Sequence, residues 1–115
     1  MDKSIWVTFQ VEGLHQWKES TTYLKYPHRH LFHFRVEVGV MGSNREIEFI
    51  GFRREVKEYV QRVLLPDVVI TKSCEMLAED LVHRLLEMYG DRDYTVEVSE
   101  DGENGAKVSC YSSTC

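Results

Sequence analysis

The chain has 5 histidines among its 115 residues, and four of them fall between positions 15 and 33. Imidazole is a common metal ligand, and its charge changes near neutral pH. His28 and His30, in PHRHLFHF, stand two apart, a spacing that on a strand puts both rings on one face. His15 lies just beyond an earlier alternating run, so a hairpin between the two runs brings it to the pair. Three imidazoles from neighbouring strands are the ligand set of an open zinc site, whose fourth position is left for water or substrate. The same cluster without metal would be a group of surface or hydrogen-bonded histidines. His33 has the opposite parity and should face the other side of the sheet as a packing or surface residue. His83, near Glu79 in a helical stretch, reads as solvated.

The elements that must position these rings follow from periodicity. Residues 4–10, SIWVTFQ, alternate with Ile5, Val7 and Phe9 on one side, which predicts a half-buried strand. The stretch EGLHQWKESTTYLKYP has no clean period. From His30 the alternation resumes through Phe32, Phe34, Val36, Val38 and Val40, and GSN at 42–44 ends it. After Gly51 the period becomes helical: Phe52, Val56, Tyr59, Val60, Val63 and Leu64 form a stripe that Pro66 stops. A second helix starts at an N-cap Ser73, with Met76, Leu77, Leu81, Leu85, Leu86 and Met88 as its apolar stripe and Gly90 at its end. Two short alternating runs, 94–100 and 106–111, flank the turn signal DGENG. The order strand, strand, helix, helix, strand, strand predicts an α+β domain over residues 1–115, with a four-stranded antiparallel sheet, both helices on one face and a frayed tail at 112–115. The other face, with Trp6 and Leu31, is expected to be covered by another subunit.

Composition narrows the partners. A formal net charge of -5 repels phosphate backbones and anionic lipid, so nucleic acid and membrane surfaces are poor candidates. No apolar run approaches the ~20 residues of a membrane span, and the first residues lack the apolar core of a secretory signal. A cytoplasmic protein is expected, with Cys74, Cys110 and Cys115 as free thiols.

Four blocks of the sequence resemble the 6-pyruvoyl-tetrahydropterin synthase / 6-carboxytetrahydropterin synthase family. FQVEGLHQW looks like that family's first strand, ending in a zinc-ligand histidine, and HRHLFHFRVEV like its His-Gly-His-Asn-Tyr strand. IEFIGFRREVKEYV is similar to the Asp-Phe-Gly-x-Leu-Lys helix entry, with Glu48 in place of the aspartate. SCEMLAEDLVHRLL and YTVEVSEDGENGAKV resemble the family's second helix and its Val-x-Val-x-Glu-Thr strand. The resemblance implies a T-fold whose sheets close into a barrel in a homotrimer or hexamer, and zinc held by His15, His28 and His30. It implies substrate binding by Glu100, with Glu75 at the matching position of the helix motif. Such enzymes are zinc-dependent carbon–oxygen lyases or synthases acting on dihydroneopterin triphosphate-like substrates or, in queuosine-type deazapurine biosynthesis, on related rings.

The chain departs from that pattern at its acid–base residues. The stretch before His28 lacks the family cysteine; Thr22, Tyr23 and Tyr26 are the protic side chains there. In the connection LPDVVITKS, Asp67 matches the family aspartate, while Val68 stands where its partner histidine would be. Arg29 replaces the glycine between the two ligands. Three functions therefore stay open: a pterin-directed zinc enzyme, a T-fold protein that binds or sequesters a pterin or purine-like ligand without turnover, and a structural oligomer. Read from its neighbours alone, Glu100 is a solvated residue of an acidic turn, and Glu75 a first-turn carboxylate favoured by the helix dipole.

Overall fold

Strands β1 (Lys3–His15) and β2 (His28–Val40) pair antiparallel from Lys3 opposite Val40 to His15 opposite His28. The computed structural model describes residues 1–113. β1 continues past the expected end at residue 10 because Val11 and Gly13 keep the inward parity of Val7 and Phe9, and all four are buried. Opposite them Phe32, Phe34, Val36 and Val38 fill the same face. Phe9 and Phe34 are register partners and stack with ring centroids 5.1 Å apart, the kind of cross-strand aromatic pair that favours one register over its neighbours. At Gly13 the chain passes under Phe32 and Leu65 so closely that a Cβ would lie 3.0 Å from a carbon of each.

Strand β4 (Tyr94–Glu100) adds antiparallel to β2, and β5 (Asn104–Cys110) to β4. Asp101 and Gly102, both at positive φ, make the tight connection that the DG pair predicts. A further strand, β3 (Val69–Ile70), pairs parallel to β1 at Leu14 and His15. The sheet is therefore 5-stranded and mixed, in the order β3-β1-β2-β4-β5. The α+β class stands, but the expectation of four purely antiparallel strands is corrected. Two residues carry no readable period, and β3 forms because the connection between the helices runs past the end of β1.

Helix α1 (Phe49–Tyr59) begins three residues before the expected start because Glu48 caps it, accepting hydrogen bonds from the backbone N–H groups of Ile50 and Gly51. Helix α2 (Cys74–Tyr89) is capped by the Ser73 hydroxyl, which accepts from the Met76 N–H, and it ends at Gly90 with φ +83. α1 passes directly into a wide π-type turn, Val60–Leu64, where the Leu65 N–H reaches back to the Val60 carbonyl at 2.7 Å. Widening the turn shifts the helical phase. Leu64 and Leu65 turn inward, and Val63 is left 56% exposed. In α2 the buried stripe is Leu77, Ala78, Leu81, Val82 and Leu85, while Met76 points outward. Val63 and Met76 are thus corrections to the expected stripes.

Both helices pack on the face that carries the strand core. The opposite face is polar. Trp6 lies beneath the Arg35 guanidinium, 4.9 Å from ring centroid to carbon, and Arg35 also pairs with Glu37 at 2.9 Å. Thr8, Gln10, Glu97 and Lys107 share that face. Arg35 pairs with Glu97 as well, at 3.7 Å, so the expectation of an apolar outer face is corrected to a largely polar one. Cys74 is a free buried thiol, whereas Cys110 is disulfide-bonded, which corrects the expectation of three free thiols. Of the tail, Ser112 and Ser113 donate backbone hydrogen bonds to Asp93 and Asp91; the rest of the expected frayed segment lies outside the described residues. Among those residues no helix is long and apolar enough to cross a membrane.

The shifted phase after Val60 makes adjacent residues unequal. Leu64→Ala should cost about 2–5 kcal/mol of stability, as for a buried leucine, and Val63→Ala less than about 0.5 kcal/mol, as for a surface position. Urea denaturation of the two variants measures both, and comparable losses would contradict the wide turn.

Candidate functional site

The inward face of the sheet is apolar along most of its length and turns polar at one end. The parity that buries Phe34 and Phe32 continues along β2 to His30 and His28, that of Val11 and Gly13 along β1 to His15, and that of Val98 along β4 to Glu100. The apolar side chains of α2 stop at its N-terminus, where Ser73 and Cys74 stand over these groups. A cavity of about 440 Å³ opens there, lined by His15, Trp17, His28, Cys74, Glu75 and Glu100 among others.

The three histidines come together. His15 and His28 are register partners, with ring centroids 5.3 Å apart, and His28 and His30 lie 4.7 Å apart at nearly a right angle. Each ring has one nitrogen committed to an oxygen. His15 Nε2 donates to the Lys72 carbonyl at 2.9 Å, His28 Nδ1 to the Tyr26 carbonyl at 2.8 Å, and His30 Nδ1 to Asp101 Oδ2 at 2.8 Å. These bonds select tautomers and leave His15 Nδ1, His28 Nε2 and His30 Nε2 as lone-pair nitrogens.

Two of those lone pairs face each other, since His15 Nδ1 and His28 Nε2 are 3.4 Å apart. Neither can donate to the other unless its ring takes a second proton. Two nitrogens sharing a tetrahedral zinc, with bonds of about 2.0–2.1 Å, stand about 3.3 Å apart, so the spacing suits a common cation. The third nitrogen is differently placed. His30 Nε2 lies 2.8 Å from Glu100 Oε2 but is misaligned for a hydrogen bond, and it remains a buried nitrogen without a partner. With His30 turned to Glu100, no group of three His, Cys, Asp or Glu side chains among the described residues is already arranged around one ion. The donor chemistry and the orphaned nitrogen suit a cation such as zinc, while the three nitrogens are not gathered around one point.

Electrostatics at the site follow from burial and the two carboxylates. Burial lowers the His15 pKa, against the opposing pull of the Lys72 carbonyl, and keeps that ring neutral. Asp101 is held below the usual carboxylate range, chiefly by the Leu31 N–H and then by His30. Cys74 is pushed up to about 11 by burial and then by the charges of Glu100 and Glu75. Its thiol therefore stays protonated at neutral pH and points its hydrogen toward Glu100 Oε1 at 3.9 Å. The helix N-terminus, which ordinarily favours a thiolate, is outweighed.

Glu100 is half-buried in the cavity wall rather than solvated in the turn, and Glu75 lies at the rim with its residue exposed. Tyr23 and Tyr26 have exposed side chains outside the cavity lining; the Tyr23 ring stands 6.2 Å from that of His28, and Tyr26 contributes only its carbonyl. Thr22 caps the short 3₁₀ turn Tyr23–Lys25. Asp67 and Val68 border a separate cleft with Gln10, Glu12 and Arg29. None of Tyr23, Tyr26 and Asp67 therefore lines the cavity beside the histidines. His33 is on the opposite face, 3.5 Å from the Gln10 amide, beside a broad polar cleft of about 590 Å³, and His83 is exposed.

Two residues that sequence reasoning passed over belong to the site. Cys74 was legible only as a free thiol, and Asp101 only as part of a turn. A usable signal for Glu100 lay in the run Tyr94, Val96, Val98, Glu100, whose parity carries the carboxylate onto the core face. Compared with known protein families and with curated proteins, the chain matches none.

The state of the thiol can be measured directly. At pH 8 Cys74 should alkylate on the order of a hundredfold more slowly than an unperturbed thiol, because the thiolate is the reacting form. Glu100→Gln removes one of the charges that holds the proton and should raise the rate. Mass spectrometry of the Cys74 peptide over time reads both, and unchanged kinetics in the variant would contradict the pairing.

Proposed function

We propose that this chain is a zinc-dependent protein of the 6-pyruvoyl/6-carboxytetrahydropterin synthase type, acting on a pterin or a related purine-like ring. The observation that carries the reading is the set of three imidazoles, each tied through its other nitrogen to an oxygen, beside a carboxylate in a cavity wall. His15, His28 and His30 would hold the metal, which when bound supplies Lewis acidity toward a carbonyl or hydroxyl of the ring's side chain. Glu100 offers two oxygens to the N–H/NH₂ edge of a planar heterocycle, a bidentate match that neutral groups make poorly. Cys74 holds a proton at Sγ inside the cavity, where a general acid would stand. Trp17 supplies a flat apolar wall at the mouth.

The cavity volume of about 440 Å³ suits a bicyclic ring with a short side chain. Binding without turnover is the second reading, favoured by the position of Tyr23, Tyr26 and Asp67 outside the cavity. A deazapurine ligand, a cytoplasmic setting, and assembly into a trimer or hexamer that closes the sheet into a T-fold barrel belong to the same proposal. The outer edge of β5, and that of β1 before Leu14, have no strand beside them among the described residues and are available for that closure.

Protein purified without added metal should carry about one zinc per chain, as an open three-histidine site holds one ion. Elemental analysis decides it, and the same zinc content in a His28→Ala/His30→Ala variant would remove the assignment. For the ring, Glu100→Gln should weaken binding of neopterin, sepiapterin or guanine by about 1.5–3 kcal/mol, the range for hydrogen bonds to a charged group. Calorimetric titration measures this. Affinity unaffected by the substitution, or no binding of any of the three, would sink the pocket reading. Product formation from a pterin triphosphate separates enzyme from binder.

A further inference from the structure

Asp101 makes three bonds that converge on two consecutive residues of β2. Its backbone N–H donates to the Leu31 carbonyl at 2.7 Å, its Oδ1 accepts from the Leu31 N–H at 2.9 Å, and its Oδ2 accepts from His30 Nδ1 at 2.8 Å. The strand pairing of β2 with β4 ends at Phe32 opposite Glu100. Asp101 continues it by one step, with a side chain doing what a backbone carbonyl would do. It does so at φ +59, a left-handed conformation that few residues other than glycine tolerate and that aspartate and asparagine enter most readily.

We infer that Asp101 is the positioning residue of this site, fixing the tautomer of His30 so that Nε2 carries the lone pair. The inference rests on the reading of His30 as a metal ligand for its functional meaning. A neutral imidazole has one N–H, and a carboxylate can only accept, so the Asp101 contact assigns that hydrogen to Nδ1. Glu100 Oε2 also stands 2.8 Å from Nε2 but out of line for a hydrogen bond, so Nε2 is buried with no hydrogen-bond partner among the described residues and keeps its lone pair. The Asp101 carboxylate, through Oδ1, holds the strand end against the turn that also carries Glu100. One residue thus fixes the hydrogen of His30 and ties the histidine strand to the turn that carries Glu100.

Asp101→Asn separates this role from a merely structural one. Asparagine tolerates the left-handed turn and keeps an Oδ1 for the Leu31 N–H. Its NH₂ group then faces His30 Nδ1 as a donor and drives the imidazole hydrogen to Nε2. Long-range proton–nitrogen NMR of the metal-free protein reads the tautomer, with His30 signals assigned by their loss in His30→Gln. The expected result is an Nδ1–H ring in the wild type and an Nε2–H ring in Asp101→Asn. Zinc affinity, measured by chelator competition, should fall about 10- to 100-fold in the variant, the usual cost of losing such an outer partner.

An Nε2–H ring in the wild type overturns the inference even if the variant fails to fold. So does a folded Asp101→Asn with an unchanged tautomer or unchanged zinc affinity. If the wild type binds no zinc while the tautomer still switches, the zinc reading falls and the positioning role of Asp101 stands.

Discussion

The register of β1 against β2 is the constraint from which both the core and the site derive. Thirteen residues of each strand are paired, so the parity of every side chain on one strand is tied to that of its partner. A slip by one residue would turn Phe32, Phe34, Val36 and Val38 toward solvent together with His28 and His30. The free energy that holds the register comes from burying those apolar residues beneath α1 and α2, and from stacking Phe9 on Phe34. The histidines contribute little to it. They are carried into place by a ladder whose stability is earned farther along.

This arrangement explains why part of the site was legible before any coordinates. The spacing of His28 and His30 shares the period that buries Phe32 and Phe34, so their common face follows from one rule. His15 could be placed near them because an antiparallel hairpin brings the end of one strand beside the start of the next. Nothing comparable announced Cys74 or Asp101. The first meets Glu100 across 26 residues of sequence, and the second meets His30 across 71. Such contacts depend on how a helix end and a hairpin turn dock on the sheet, and local periodicity is blind to that docking.

The fold was readable in the same uneven way. Long alternating runs and well-capped helices declared themselves through Ser73, Gly90 and the DG turn. The elements that escaped are those where tertiary packing overrides local pattern. Val69–Ile70 is too short to show a period, and the wide turn after Val60 breaks the phase on which a helical stripe is counted. The polar outer face was misjudged because Trp6 and Leu31 are conspicuous in sequence, whereas the Arg35 guanidinium over Trp6 is visible only in three dimensions.

The two-residue strand β3 has an effect larger than its size. It pairs with Leu14 and His15, Gln16 donates its N–H to the Ile70 carbonyl, and Lys72 two residues later receives the His15 ring. Ser73 and Cys74 follow at once as the start of α2. The last rungs of the hairpin and the first turn of this helix are therefore one mechanical piece at the end of the apolar core, which it joins through Phe32 and Cys74. Such a piece can open as a local, low-energy fluctuation while the rest of the molecule stays closed. In kinetic terms, the cavity would breathe at a rate set by this short seam, and global unfolding would play no part in admitting a ligand.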